Sequence, residues 1–215
     1  MASKQIGSIR KEYGIGELSK ENVNSNPIVQ FESWFKEAYE REGEEANATT
    51  LSTIGLDGHP EGRIVLLKFY SEDGFAFYTN YNSMKGQELK NHAYASLTFH
   101  WKTLERQVRI RGTVEKTNPI ISDDYFDSRP RESRIGAWTS PQSQEIADRN
   151  VLEENELFYK NKFEGQKQIP RPPHWGGFII NPQKIEFWQG RSSRLHDRIV
   201  YELEGSDWKI KRLAP

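Results

Sequence analysis

The pattern that most constrains the fold is a run of short alternating strands over 48–117. In the strand predicted over 106–116, for example, the apolar Val108 and Ile110 flank the charged Arg109. Such alternation predicts strands with one buried side and one solvent-facing side, which is typical of antiparallel sheets. Many short strands would leave sheet edges exposed unless the sheet curls. The pattern therefore favours a closed or half-closed antiparallel barrel.

Turn signals separate the predicted strands. Asp57-Gly58 and Asp73-Gly74 each carry a glycine suited to a tight turn, and a further turn is expected at Asn181-Pro182. The strands predicted in this way are 49–54, 63–70, 75–79, 93–101, 106–116, 177–180, 184–189, 198–203 and 208–213.

Helices are expected to flank and interrupt these strands. Asn26-Pro27 and Asn118-Pro119 each place a capping side chain before a proline, which is the usual beginning of a helix. The predicted helices extend from Pro27 to near Gly43, over 83–91, from 118 to about 127 and from about 146 to 163. The expected fold class is α+β: an antiparallel barrel with flanking helices.

The chain of 215 residues fits one domain with helical additions. We expect a mobile N-terminal arm over 1–25 and a single domain over 26–215. Residues 1–13 are polar and charged, and nowhere do about 18 apolar residues run together. A cytoplasmic protein that does not bind membranes is therefore expected.

Composition excludes several kinds of site. Lys and Arg total 30 against 31 Asp and Glu, so the net charge of −1 gives no general attraction to nucleic acids or anionic membranes. Cysteine is absent, which excludes disulfides and thiolate chemistry. The five histidines lack metal-ligand spacing, so we expect no bound metal. Any anion site must therefore be local.

Positive charge is most concentrated in Arg194-Leu-His-Asp-Arg198. If this segment is extended, Arg194, His196 and Arg198 share one face. Two guanidiniums and an imidazole side by side are unfavourable unless an anionic ligand or water compensates them. From these five residues alone, an anion site and a solvated edge strand are equally good interpretations.

Two other places offer phosphate-binding groups at the ends of strands. Arg63 and Lys68 face opposite ways by simple alternation, so they indicate two neighbouring anion sites or merely the charged ends of a strand. After the strand that ends near Asn80, Ser83 and Lys85 begin a helix, where hydroxyl and N–H groups can meet a phosphate.

Tyr125, Arg129 and Ser133 are spaced four residues apart and would share one face of a continuous helix. Pro130 disfavours helical backbone at Arg129 and so can break this register. The three side chains form a plausible phosphate cradle, because an arginine fork matches phosphate oxygens and hydroxyls add donors. The alternative interpretation is a capped surface helix.

Nine motifs resemble, in order and spacing, the pyridoxine (pyridoxamine) 5′-phosphate oxidase family. The resemblance covers 10–215, which is nearly the whole chain. The motifs are Arg63 to Lys68, Tyr78-Thr79, Glu105-Arg-Gln107, Tyr125 to Arg131, Gln142-Ser143, Trp175-Gly-Gly-Phe178, Glu186 to Gly190, Arg194 to Arg198 and Arg212-Leu-Ala-Pro215.

The resemblance implies a homodimeric flavoprotein with a split β-barrel fold and FMN at the subunit interface. Members of the family oxidise pyridoxine or pyridoxamine 5′-phosphate to pyridoxal 5′-phosphate with O₂ as acceptor. They release hydrogen peroxide, and ammonia from the amine. The implied step is hydride transfer from C4′ of the substrate to N5 of the flavin.

The resemblance also implies roles for individual residues. Arg194 and His196 would be catalytic, with His196 bonded to the ring hydroxyl and Arg194 orienting the C4′ substituent. The segment 10–13 is similar to one that folds over bound substrate. The implied FMN contacts are Arg63, Ile64, Val65, Leu66, Leu67, Lys68, Tyr78, Thr79, Lys85, Gln107, Gln142, Ser143, Trp188 and Arg198. The implied substrate contacts are Arg10, Lys11, Glu12, Tyr13, Lys68, Tyr125, Arg129, Ser133, Arg194, Leu195 and His196.

One position departs from the family pattern. Family members commonly carry arginine where this chain has Met84, so we predict weaker retention of FMN. Two alternative functions stay open. One is another split-barrel flavin oxidoreductase, and the other is a non-catalytic protein that binds FMN or pyridoxal phosphate.

Overall fold

The computed structural model describes residues 7, 8 and 10–215, and in these it contains nine strands and five α-helices. The strands are β1 (Ala48–Ile54), β2 (Pro60–Leu66), β3 (Phe69–Ser71), β4 (Gly74–Asn80), β5 (Tyr94–Trp101), β6 (Arg106–Lys116), β7 (Trp175–Gln189), β8 (Asp197–Glu204) and β9 (Asp207–Leu213). The helices are α1 (Pro27–Glu42), α2 (Met84–Asn91), α3 (Pro119–Ser128), α4 (Arg131–Thr139) and α5 (Asn150–Lys162). Within this described part, no helix combines the length and the apolar character needed to cross a membrane.

The strands form one antiparallel sheet that is not closed. Its order is β2-β1-β5-β6-β7-β4-β3, while β8 pairs with β7 and β9 pairs with β8. The predicted α+β class, with an antiparallel sheet and flanking helices, is confirmed. Of the predicted N-terminal arm, residues 1–6 and 9 lie outside the described residues, and the mobility of the arm stays a prediction.

The turn predicted at Asn181-Pro182 is wrong, because β7 runs through both residues. Residues 175–180 of β7 pair with β4, and residues 184–189 pair with β8. Asn181 and Pro182 lie between these two paired stretches. Pairing with β4 and β8 therefore needs no N–H from Pro182.

The chain divides into two compact units. The first contains the described residues up to Thr50, together with Leu97–Arg111 and Pro182–Pro215. The second contains Leu51–Ser96 and Gly112–Asn181. The single domain over 26–215 stays a prediction.

The first unit is built around the buried face of α1. The helix begins as predicted, since the Asn26 side chain accepts a hydrogen bond from the Ile28 N–H at 2.8 Å. Phe31 packs 5.3 Å from Phe99, and Trp34 meets Phe187 edge-on at 5.2 Å. Burial of each large apolar side chain contributes about 1.5–3 kcal/mol, so this face accounts for much of the stability of α1.

The second unit has an apolar cluster that includes Phe126 and Trp175. Helix α3 ends at Ser128 and α4 begins at Arg131, because Arg129 before Pro130 adopts extended backbone. This break keeps Arg129 between two helices. It fixes the geometry of the site described below.

Candidate active site

A cavity of about 460 Å³ lies in the second unit, and we call it the phosphate cavity. It gathers residues from β2, the β2–β3 link, β4, α2, α3, the α3–α4 link, α4, the segment after α4 and the start of β7. The residues expected from the sequence that line it are Ile64, Val65, Leu66, Lys68, Tyr78, Thr79, Lys85, Tyr125, Arg129, Ser133 and Gln142. The sequence did not identify five further lining residues, Asn80, Gly136, Ala137, Ser140 and Trp175.

Lys68 lies in a short link between two strands. A single strand over 63–70 was predicted, but β2 ends at Leu66 and β3 begins at Phe69. The Lys68 N–H still bonds to the Ala76 carbonyl at 2.9 Å. Lys68 follows Leu66 by two positions, so alternation puts both side chains on one face, and both line the cavity.

One wall of the phosphate cavity is cationic and is formed by residues at the start of α2. Ser83 caps the helix, and the Lys85 ammonium lies 3.4 Å from Thr79 Oγ1 and 3.3 Å from Gln142 Oε1. Burial lowers the pKa of Lys85, and the nearby charge of Arg63 lowers it further. A bound anion at this wall would compensate the charge of Lys85.

The phosphate cavity is also lined by a stack of aromatic rings. Tyr78 and Tyr125 lie 4.0 Å apart at an interplanar angle of 24°, and Trp175 lies 5.5 Å from Tyr78 at 14°. Burial raises the pKa of both tyrosines, so each phenol stays protonated at neutral pH and can donate a hydrogen bond. The stack therefore offers planar apolar surface with two donors.

Arg129 is the clearest sign of an anionic ligand. Its guanidinium lies 4.6 Å from the Trp175 ring, while its Nη1 is buried and has no hydrogen-bond partner among the described residues. Burial lowers the pKa of Arg129, although the group stays charged at neutral pH. A buried N–H without an acceptor is unfavourable, so a ligand oxygen is the natural partner. Tyr125 and Ser133 line the same cavity even though Pro130 interrupts the helix.

Arg63 does not line the phosphate cavity. It binds the carboxylate of Glu88 at 2.9 Å and also contacts Thr53. Glu88 is 1% exposed, and it accepts a second hydrogen bond from Thr53 Oγ1 at 2.6 Å. Sequence reasoning missed Glu88, because nothing in its spacing marks it as the buried partner of a distant arginine.

A second cavity of about 460 Å³ lies in the first unit, and we call it the arginine–histidine cavity. The segment 10–13, predicted to fold over substrate, forms one side of it. The complete lining is Arg10, Lys11, Glu12, Tyr13, Arg191, Ser193, Arg194 and His196. Of these, Arg191 and Ser193 were not identified from the sequence.

The extended conformation considered for 194–198 is wrong. Ser192–Arg194 forms a 3₁₀ turn, and β8 begins only at Asp197. Ser193 and Arg194 have φ of 53° and 61°. This left-handed backbone is uncommon without glycine, which is why alternation did not reveal it. Arg194, His196 and Arg198 therefore do not follow the alternating faces of one strand.

The basic residues of this segment have different partners. Arg198 binds the buried Glu186 through contacts of 2.8 and 3.2 Å, which raise the pKa of Arg198. His196 Nδ1 accepts a hydrogen bond from the Arg191 N–H at 3.1 Å, and its ring lies 4.6 Å from Trp188. Part of the negative charge expected beside these cations is therefore supplied by the carboxylate of Glu186.

Several expected site residues line neither cavity. Leu195 is 70% exposed, and Trp188 is instead a neighbour of the His196 ring. The full set is Arg63, Leu67, Gln107, Ser143, Trp188, Leu195 and Arg198. Their roles stay predictions.

The open antiparallel sheet, its flanking helices and the cationic, aromatic phosphate cavity define a split-barrel protein with a site suited to a planar anion. The family model described as pyridoxamine 5′-phosphate oxidase matches 35–155. The model described as the pyridoxine 5′-phosphate oxidase C-terminal dimerisation region matches 175–215. The chain therefore belongs to the pyridoxamine 5′-phosphate oxidase family, as its motifs indicated.

Relatives with this family name match the chain from end to end. The pyridoxine/pyridoxamine 5′-phosphate oxidase of Gloeothece citriformis is 53% identical over 99% of both chains. The protein of the same name from Synechocystis sp. is 51% identical over 100% of both.

Solved structures confirm the split-barrel fold. PhzG from Burkholderia lata 383, in complex with tetrahydrophenazine-1-carboxylic acid, has a TM-score of 0.86 and 28% identity and covers 94% of this chain and 100% of its own. A pyridoxamine 5′-phosphate oxidase-related, FMN binding protein from Nostoc punctiforme has a TM-score of 0.68. At 16% identity, with 86% of this chain and 97% of that chain covered, the second similarity concerns the fold alone.

Proposed function

We propose that the protein is an FMN-dependent oxidase that converts pyridoxine or pyridoxamine 5′-phosphate to pyridoxal 5′-phosphate. O₂ would be the acceptor, and hydrogen peroxide would be released, with ammonia from the amine. The observation that carries the proposal is the buried, unpartnered Arg129 Nη1 in a cavity that also contains Lys85 and stacked aromatic rings. Full-length relatives at 51% and 53% identity bear names with this activity.

The residues of the phosphate cavity fit a phosphorylated, planar cofactor. Lys85, with Thr79 and Gln142 beside it, would hold the FMN phosphate, because one ammonium and two neutral polar groups converge within 3.5 Å. Ile64 and Leu66 are exposed on β2 and would cover the flavin ring. When bound, FMN supplies the hydride acceptor at N5 and the route for electrons to O₂.

The substrate phosphate would be held by Lys68, Tyr125, Arg129 and Ser133. Arg129 provides a fork that matches phosphate oxygens, and its free N–H gains an acceptor. The protonated phenol of Tyr125 donates a further hydrogen bond. Fixing the phosphate limits the motion of the reacting carbon, which makes transfer effectively intramolecular.

The family resemblance assigns Arg194 and His196 to the reacting end of the substrate. Because His196 Nδ1 accepts the Arg191 N–H, the neutral ring carries its proton on Nε2. That N–H can donate to the ring oxygen of the substrate. Arg194 would orient the C4′ substituent, and either group can move a proton there.

We further propose a homodimer with FMN at the subunit interface. The match of 175–215 to a dimerisation region supports the dimer. Ile64 and Leu66 on β2 are 66% and 45% accessible, which suits an interface where the flavin and a second subunit together cover them. The cytoplasmic location expected from the sequence stays a prediction.

The test is the colour of the purified protein. A yellow protein that bleaches under anaerobic conditions with pyridoxine 5′-phosphate, and recovers its colour in air with release of hydrogen peroxide, supports the oxidase. The unphosphorylated alcohol serves as the control and should bleach it far more slowly. Absence of bleaching with either B6 phosphate would contradict the proposal and favour another flavin oxidoreductase or a non-catalytic binding protein.

A further inference from the structure

The buried carboxylate of Glu105 binds the N-terminal segment at three points. Glu105 Oε2 accepts the N–H groups of Gly14 and Ile15 at 2.8 and 3.2 Å. Its Oε1 lies 3.0 Å from the Lys11 ammonium. Glu105 is 3% exposed, so these contacts replace the water that it would otherwise require.

The backbone of Glu105 is also held firmly. Its φ of 54° is left-handed, and its carbonyl accepts the Gly190 N–H at 2.8 Å. A residue other than glycine keeps this left-handed conformation only where the surrounding contacts stabilise it. Burial alone would raise the pKa of Glu105, but the hydrogen bonds from Gly14, Lys11 and Ile15 outweigh that effect, so the carboxyl stays ionised.

Asp197 provides a second anchor a few residues further along the segment. Its Oδ2 accepts the Leu18 N–H at 3.0 Å, and its Oδ1 binds Arg212. Arg212 in turn donates to the Leu18 carbonyl at 3.1 Å. Leu18 is 4% exposed and Asp197 is 6% exposed, so this anchor is buried like the first.

Tyr13 lies just before these anchors and faces the arginine–histidine cavity. Its ring lies 5.8 Å from His196 and 5.9 Å from Trp188. Gly190 leaves room for it, since a Cβ there would lie 2.8 Å from Tyr13 Cγ. The position of Tyr13 therefore depends on the anchors behind it and on the missing side chain beside it.

We propose that Glu105 and Asp197 are positioning residues that hold the segment 10–18 against the arginine–histidine cavity, so that one side of the substrate site is formed before substrate binds. Their role is to fix the backbone that carries Arg10 and Tyr13, without touching the reacting atoms. This inference rests on the proposed function, which names the substrate.

The direct test is amide hydrogen exchange, resolved by residue, on the full-length protein loaded with FMN. Glu105→Met removes both acceptor oxygens at similar length, and we expect exchange at Gly14 and Ile15 to become about tenfold faster while Leu18 is unchanged. Asp197→Leu should give the opposite pattern. Glu105→Gln keeps one acceptor and should restore part of the protection.

The kinetic readout separates positioning from general stability. Glu105→Met should raise KM for pyridoxine 5′-phosphate about tenfold with little change in kcat, because preformed binding is lost and the chemistry is intact. Glu17→Gln is the matched control, since this carboxylate of the same segment is 74% exposed and pairs with Arg191 at 3.1 Å. It should behave like the wild type.

Unchanged exchange at Gly14 and Ile15 in Glu105→Met would overturn the proposal, as would a fall in kcat with normal KM. If Glu105→Met does not fold, Gly190→Ala provides the second variant. Its added Cβ displaces Tyr13 and removes no hydrogen-bonding group, so a raised KM is expected and a normal KM contradicts the proposal.

The hydrogen-exchange measurement does not require the protein to be active. An inactive protein with the expected exchange pattern would refute the oxidase and leave the anchors standing, whereas an active oxidase with unchanged exchange would refute the anchors alone.

Discussion

The two cavities have similar volumes but satisfy their charges in opposite ways. Within the part of the chain that the structure describes, a buried N–H of Arg129 in the phosphate cavity lacks an acceptor, and the hydrogen bonds of Lys85 go to neutral oxygens. Beside the arginine–histidine cavity, the buried carboxylates of Glu105 and Asp197 have N–H and cationic partners from the chain itself. An anion would complete the hydrogen bonds of the first cavity, whereas the second is organised by internal contacts.

The difference indicates how the two sites should respond to substitution. Removing a cation from the phosphate cavity removes a ligand contact, so binding should suffer more than folding. Removing an internal carboxylate leaves a cation without its partner, so stability and order should suffer first. The following four substitutions test this contrast.

Arg129→Met should have the largest effect. The variant loses a charge-assisted contact to the substrate phosphate, and we expect kcat/KM to fall about 100-fold. Unfolding in urea should be almost unchanged, because no protein acceptor is lost at Nη1. Arg149→Met, at a side chain that is 83% exposed, is the control and should match the wild type. A large loss of stability in Arg129→Met would contradict the view that the phosphate cavity serves binding more than folding.

Glu88→Gln should act on stability, since it weakens the only carboxylate bonded to Arg63 at 2.9 Å within the described residues. We expect the free energy of unfolding to fall by about 2 kcal/mol, measured by urea denaturation. The matched control is Glu61→Gln, because Glu61 is 50% exposed and lies 3.9 Å from Arg63. Its effect should stay below about 0.5 kcal/mol. Equal effects of the two substitutions would show that burial of Glu88 is unimportant.

Lys85 should make FMN binding dependent on pH. Burial, and then the charge of Arg63, lower the pKa of Lys85, although Glu88 opposes this. The ammonium binds phosphate below its pKa, so affinity should fall about tenfold as pH rises through that lowered value. Quenching of FMN fluorescence by apo-protein measures the affinity. Lys85→Arg should abolish the alkaline loss, and a loss that persists in this variant would assign it elsewhere.

Met84→Arg should have the smallest effect. Met84 is 47% exposed at the start of α2, so solvent would screen an added guanidinium. We expect FMN affinity to rise by about threefold in the same fluorescence titration. Met84→Gln controls for the change of shape. Equal affinities in Met84→Arg and the wild type would show that the family cation at this position is dispensable here.

The sequence predicted elements with clear periodicity. Helix α1 appeared where Asn26-Pro27 and the buried Phe31 and Trp34 indicated it, because local capping and a continuous apolar face act together. The predicted phosphate cradle of Tyr125, Arg129 and Ser133 also converges, although a helix break rather than one helix face brings it together.

Interactions between distant residues could not be predicted. Glu105 and Gly14 are 91 positions apart, and no local pattern pairs them. The left-handed backbone at Arg194 has no glycine to signal it. Arg198 pairs with Glu186 because β8 lies beside β7 in a particular register. The sequence does not give this register, so the ion pair could not be predicted.

Gly190 also has a consequence for the evolution of the chain. Glycine at position 190 leaves space for the ring of Tyr13, because a Cβ there would collide with it. The residues allowed at the two positions therefore depend on each other, although the positions are far apart in the sequence. A larger residue at 190 would be tolerated only together with a smaller one at 13. Among relatives, the two positions should therefore covary, and a pair that violates the rule would mark a lineage whose N-terminal segment follows a different path.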